Sequence, residues 1–142
     1  MRTLDRCDVV GKTISLVFQS PEEKTLSDFG YPCVDASVRL TDGIVFAIRV
    51  GWSDTEIMEI KVDPLWRPAF GSAEASCNGE VIENVLFSDQ WGPYLIILLS
   101  SNRVLTIADS PWTSGPALIP KANFVLNGAK DFWKRNSHLE KD

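Results

Sequence analysis

The side chains best suited to chemistry in this 142-residue chain are few and scattered. One histidine, His138, lies in the polar stretch from Asn136 to Asp142, which is expected to fray. Triads and dyads built on an imidazole base therefore lack a base within the folded domain, and serine and cysteine hydrolases are disfavoured. The cysteines, Cys7, Cys33 and Cys77, are odd in number and widely spaced, which fits neither a disulfide framework nor a zinc pattern. None has an identifiable activating partner, so reduced and partly buried thiols are expected. Gly11-Lys12-Thr13 has the ending of a phosphate-binding loop, but Arg6 stands where that loop needs its first glycine and a strand follows, so nucleotide binding is rejected. No residue of the sequence is expected to be catalytic, and no metal or cofactor is expected.

What remains is a recurrent pairing of tryptophan with aspartate. Trp52 with Asp54, Asp89 with Trp91, and Asp109 with Trp112 fall in three stretches read as connections, 51–55, 88–93 and 109–116. If the strands from Cys33 onward form one meander, these alternate connections share one edge. Aromatic side chains at loop tips supply much interface energy at low entropy cost, and neighbouring acids suit a basic partner. The same edge would also suit a small-molecule pocket, with Asp54, Asp89 and Asp109 as acid-base groups. A divalent cation is a weaker fit, because the spacing supplies no ligand loop of known type. Against all three stands a packing explanation, and it is the commoner outcome: Asp is a routine turn residue, and Trp often seals the open end of a β core. Trp66 and Arg67, in the stretch from Leu65 to Gly79, form a second candidate surface at the opposite end. There Arg67 suits a carboxylate or a ring, and the competing explanation is packing across the sheet face.

The elements that must position these residues read mostly as strands. Val34, Ala36, Val38 and Leu40 alternate with polar residues, and Ile44, Phe46, Ile48 and Val50 continue after Thr41-Asp42-Gly43, which makes a hairpin. A three-residue loop pairs Leu40 with Ile44, Val38 with Phe46, Ala36 with Ile48 and Val34 with Val50, keeping every apolar partner on one face. That register sets Asp35 opposite Arg49 and puts Gly43 at the left-handed position. Ile14, Leu16 and Phe18, alternating with Thr13, Ser15 and Val17, predict an earlier strand. Further strands are read over 56–62, 81–87, 94–99 and 103–108, the run from Tyr94 to Leu99 being apolar on both faces and hence central. Helical turns are expected over 4–10, about 21–27 after the capping Ser20-Pro21, and 129–135, where Phe132 and Trp133 should dock on the sheet. Residues 123–127 suit a last edge strand.

Composition bounds the rest. A hydrophobic share of 44% and a charged share of 23% are ordinary for a globular chain and far from those of disorder. The charged start, Met1 to Asp8, leaves no room for a signal peptide, and the longest apolar run is too short to cross a bilayer, so a cytoplasmic protein is expected. A formal charge of −5 argues against tracking a nucleic-acid backbone. The expected fold is mainly β (α+β): a single antiparallel, strongly bent sheet or partly open barrel of about seven strands in meander order, one domain over 1–135 with a tail at 136–142. The function expected is a non-catalytic protein-binding domain, an inhibitor or immunity-type protein that neutralises a basic partner through Trp52, Asp54, Asp89, Trp91, Asp109, Trp112, Trp66 and Arg67. A small-molecule-binding protein or an enzyme using Asp and Glu is the alternative, and a homo-oligomerisation module a third.

Overall fold

The alternation on either side of Gly43 folds as read. Strands β2 (Ala36–Leu40) and β3 (Val45–Val50) pair with Val38 opposite Phe46, and the Ile44 carbonyl accepts from the Leu40 N–H at 2.8 Å. Gly43 has a φ of +95°, a conformation that a β-carbon makes costly, and the Asp42 carboxylate accepts from the Ile44 N–H at 3.0 Å to fix the turn. The expected partner of Arg49, Asp35, lies outside the described residues. The structure is a computed structural model that describes residues 2–19, 36–50, 55–61, 66–70, 76–88, 94–108, 116–123 and 129–135.

The mainly β, antiparallel fold is observed, but among the described residues the strands divide between two five-stranded sheets and close no barrel. Around β2 and β3 the first sheet adds β1 (Ile14–Gln19), β4 (Thr55–Glu59) and a two-residue strand β5 (Arg67–Pro68), in the order β4-β3-β2-β1-β5. The second sheet contains β6 (Ile82–Ser88), β7 (Tyr94–Leu99), β8 (Arg103–Ala108), β9 (Ala117–Pro120) and β10 (Lys130–Asp131), in the order β10-β6-β7-β8-β9. Each sheet contains a meander, β1 to β4 and β6 to β9, and the run breaks between β4 and β6. The apolar β7 is central, as its two-faced hydrophobicity requires.

A seam joins the sheets. Gly11 donates to Ile82 at 2.8 Å, Ile82 to Lys12 at 2.9 Å, Ile14 to Glu80 at 2.9 Å and Gly79 to Ile14 at 2.7 Å. The chain reaches this seam through α1 (Arg6–Val9), one turn in the region where a turn or two was expected. Ahead of it, Arg2 and Leu4 cover the outer edge of β4: Leu4 donates to Ile57 at 2.8 Å and Arg2 accepts from Glu59 at 2.7 Å. The core between the sheets takes Val38, Phe46, Ile48 and Ile57 from the first and Val85, Leu95, Ile97 and Leu105 from the second.

One parity reading is corrected. The sequence sets Ile14, Leu16 and Phe18 on one face, but a bulge between Ile14 and Leu16 inserts an extra residue and reverses the alternation beyond it. Val17, opposite Val38, enters the core, while Leu16 and Phe18 face outward opposite Arg39 and Ser37. Three further strands appear where none was expected, β5 within the stretch 65–79, β9 at 117–120 and β10 at 130–131. Asn123 ends a 3-10 turn, Lys121–Asn123, and the rest of the expected strand at 123–127 lies outside the described residues. The last helix is shorter than 129–135, because β10 takes its first residues and leaves α2 (Phe132–Arg135). Phe132 and Trp133 are fully buried, as expected, with their rings edge to face at 4.9 Å. The expected helix at 21–27 and the tail at 136–142 fall outside the described residues. No helix among the described residues is long and apolar enough to cross a membrane.

Candidate functional site

Because the bulge turns Leu16 and Phe18 outward, the outer face of the first sheet is also apolar. Phe18, Ala47, Ile60 and Trp66 form a second buried cluster there, bordered by the half-buried Leu16, Val45 and Met58. Trp66 is only 6% exposed, so its indole serves packing across the sheet face and offers a partner almost no surface. Its neighbour Arg67 is exposed on β5. The two members of this candidate surface are thus separated by burial, although they are adjacent in sequence. Arg39 is exposed on the same outer face, its guanidinium 5.6 Å from the centre of the Phe18 ring. Ser37, between Phe18 and Ala47 in the register, is fully buried, and its hydroxyl finds no hydrogen-bond partner among the described residues.

The tryptophan and aspartate connections divide differently from the single edge expected. Ser88 pairs with Tyr94, Tyr94 with Ala108, and Ala117 with Thr106, so the connections holding Asp89 with Trp91 and Asp109 with Trp112 leave the same end of the second sheet. The connection holding Trp52 and Asp54 joins β3 to β4 in the first sheet. All six residues lie outside the described residues, so only the strands that carry them are placed.

Charge is distributed unevenly along the chain. The ten strands hold four acidic and five basic residues, a formal +1. The segments that join them in sequence hold eleven acidic and three basic residues, a formal −8, and the two ends, 1–13 and 132–142, add +1 each, which together make −5. Several described acids are also engaged internally: Asp8 and Glu59 with Arg2, Asp42 with Lys12, and Glu80 with Arg103.

The most connected polar group was not legible in the sequence. The Glu80 carboxylate, nearly buried, accepts from the Ser101 N–H at 3.1 Å and from the Ser101 hydroxyl, and pairs with the Arg103 guanidinium. Arg103 also donates to the Ser76 carbonyl at 2.8 Å and to the Ser101 hydroxyl at 3.0 Å. The group ties the 76–80 turn, which forms part of the seam, to the turn between β7 and β8. Between Ser76 and Glu80 sits Cys77, fully buried; burial first and then the Glu80 charge push its thiol up to about 11, with Arg103 opposing. A thiol held protonated is a poor nucleophile, and a carboxylate engaged by a guanidinium is a poor general base, so this group acts as a clasp. Nothing marked it in advance: Ser76 and Glu80 lie in one turn, Ser101 in another and Arg103 on β8, and no motif links them.

Asp5, Cys7 and Asp8 also bring ligand-type atoms within 4.8 Å of one another. The local backbone explains that grouping, since the Asp8 carboxylate accepts from the Asp5 N–H at 2.9 Å across the first turn of α1 and faces Arg2 at 3.9 Å. Fold and polar groups together define a two-sheet antiparallel β protein. No family model, no curated protein and no solved structure matches the chain.

Proposed function

We propose that this chain is a non-catalytic protein-binding domain of the inhibitor or immunity type, which captures a basic partner protein through the connections between its strands. The observation that carries the proposal is the separation of charge: the ten strands carry a formal +1, and the segments that join them in sequence carry −8. Such a distribution puts opposite charge where a basic partner approaches and accelerates its encounter. The tryptophans of those stretches, Trp52, Trp91 and Trp112, supply the apolar contact that electrostatic steering lacks. Trp66 belongs to the core and drops out of this reading, and Arg67 retains its exposed place.

The test is affinity capture on the immobilised chain, followed by binding measurements with the captured protein. The expected partner is basic and binds with one-to-one stoichiometry. Its affinity weakens as salt rises from about 0.1 M to about 1 M, where the screening length falls from roughly 10 Å to roughly 3 Å. The triple variant Asp54→Asn, Asp89→Asn, Asp109→Asn should weaken binding while leaving the circular dichroism spectrum unchanged. A neutral or acidic partner whose affinity ignores both salt and the triple variant would refute the proposal. So would a stoichiometric small molecule that co-purifies with the native chain and is lost from the triple variant.

A further inference from the structure

Strand β9 is the outermost strand of the second sheet, and among the described residues nothing pairs with its far edge. The register shows which backbone groups that edge presents. Lys121 donates to the Asn102 carbonyl at 2.8 Å, and the ladder continues with Arg103 opposite Pro120, Val104 opposite Ile119 and Leu105 opposite Leu118. Antiparallel pairing alternates, so Lys121, Ile119 and Ala117 turn their amides toward β8, while Pro120, Leu118 and Pro116 turn theirs away. Two of the three outward positions are prolines and have no N–H to give. Leu118 and Ile119 are half-buried and Pro120 is exposed.

We propose that Pro116 and Pro120 are guards that keep β9 from adding a strand, in particular from pairing with β9 of a second copy of this chain. A twofold antiparallel pairing centred on Leu118 sets Leu118 opposite its own copy and Pro116 opposite the copy's Pro120. The central pair exchanges two hydrogen bonds. Neither flanking pair can form any, because neither member of it can donate. Shifting the register by two sets each Leu118 against a proline carbonyl, so with one outward donor per copy no register exceeds two bonds. Without the prolines, the same pairing would form six bonds along an edge whose side chains are already half apolar. Exposed edges of that kind are what a β protein must protect. The other described edges are closed by different means: β4 by residues 2–4, and β5 and β10 by having only two residues each.

The experiment is sedimentation velocity over a wide concentration range on the full chain and on the double variant Pro116→Thr, Pro120→Thr, with the fold checked by circular dichroism. Native chain should sediment as a monomer, and the double variant should self-associate at least about tenfold more strongly, as restored backbone donors at both flanking pairs imply. Adding Leu118→Pro to the double variant removes the central donors, cuts the six bonds to four and should weaken its self-association. A folded double variant that stays monomeric throughout overturns the proposal, as does association unchanged by Leu118→Pro. If the double variant loses its fold, Pro120→Thr alone carries the test, since that side chain is exposed. Dimer then supports the guard and monomer overturns it.

Discussion

Replacing Arg103 with methionine takes the cationic partner from Glu80 while keeping an unbranched chain of similar length. The Glu80 side chain is 10% exposed and that of Arg103 29%, so the carboxylate is left nearly buried with only the Ser101 N–H and hydroxyl as donors. Removing one member of a fully buried ion pair costs about 3–5 kcal/mol. The exposure of Arg103 means that water already screens part of the attraction, which lowers the expected loss to about 2 kcal/mol. Glu80→Gln keeps an acceptor for Ser101 and gives up the charge, for about 1 kcal/mol. Urea unfolding of both single variants and of the double variant at neutral pH reads the coupling, expected at about 1 kcal/mol or more because each residue's loss removes the same contact. Additivity within about 0.5 kcal/mol would refute the clasp. A second readout is thiol labelling in a Cys33→Ser background. Cys7 is exposed and should react at once, whereas Cys77 should react only when the 76–80 turn opens, and sooner in Arg103→Met than in the native chain.

Three further substitutions probe separate elements. Asp131 accepts from Asn84 at 2.9 Å, Trp133 N–H at 3.0 Å and Lys134 N–H at 3.2 Å; burial alone would raise its carboxyl, but these bonds and the Lys134 charge outweigh burial and hold it below the ordinary value. Its contribution is therefore complete above the unfolded value near about 4 and is lost as pH falls through the lower folded value, so Asp131→Ala should cost about 1 kcal/mol at neutral pH and flatten the acid limb of a pH-dependent melting series. Ser37→Ala removes a buried hydroxyl with no described partner and should raise stability by about 1 kcal/mol in urea unfolding, whereas a loss would mean that the hydroxyl is bonded. Gly43→Ala forces a β-carbon into a φ of +95° and should cost about 1 kcal/mol or more, an effect that Thr41→Ala, in the same turn, does not reproduce.

Period-two alternation and turn chemistry are local, and they made much of the sheet legible in the sequence. The β2–β3 register follows from matching faces across a three-residue loop, the left-handed Gly43 from that loop, and the central place of β7 from its two apolar faces. The buried Phe132 and Trp133 were also legible, since large aromatics in a short terminal helix need a sheet to cover them. Tertiary structure decided what depends on partners distant in the chain. The bulge after Ile14 comes from pairing with β2, and it sends Val17 inward and Phe18 outward against the simple alternation. Burial of Trp66 depends on that outward Phe18 and on Ala47 and Ile60 from other strands, so no reading of 65–79 alone could separate it from Arg67. The Glu80–Ser101–Arg103 clasp exists because the seam brings two turns together, and the split between β4 and β6 is what sets the strands flanking Trp52 in one sheet and those flanking Trp91 and Trp112 in the other. Alternation records which face a residue takes within its own strand; which strands become neighbours is set by long-range pairing and core packing, and those leave no local periodic trace.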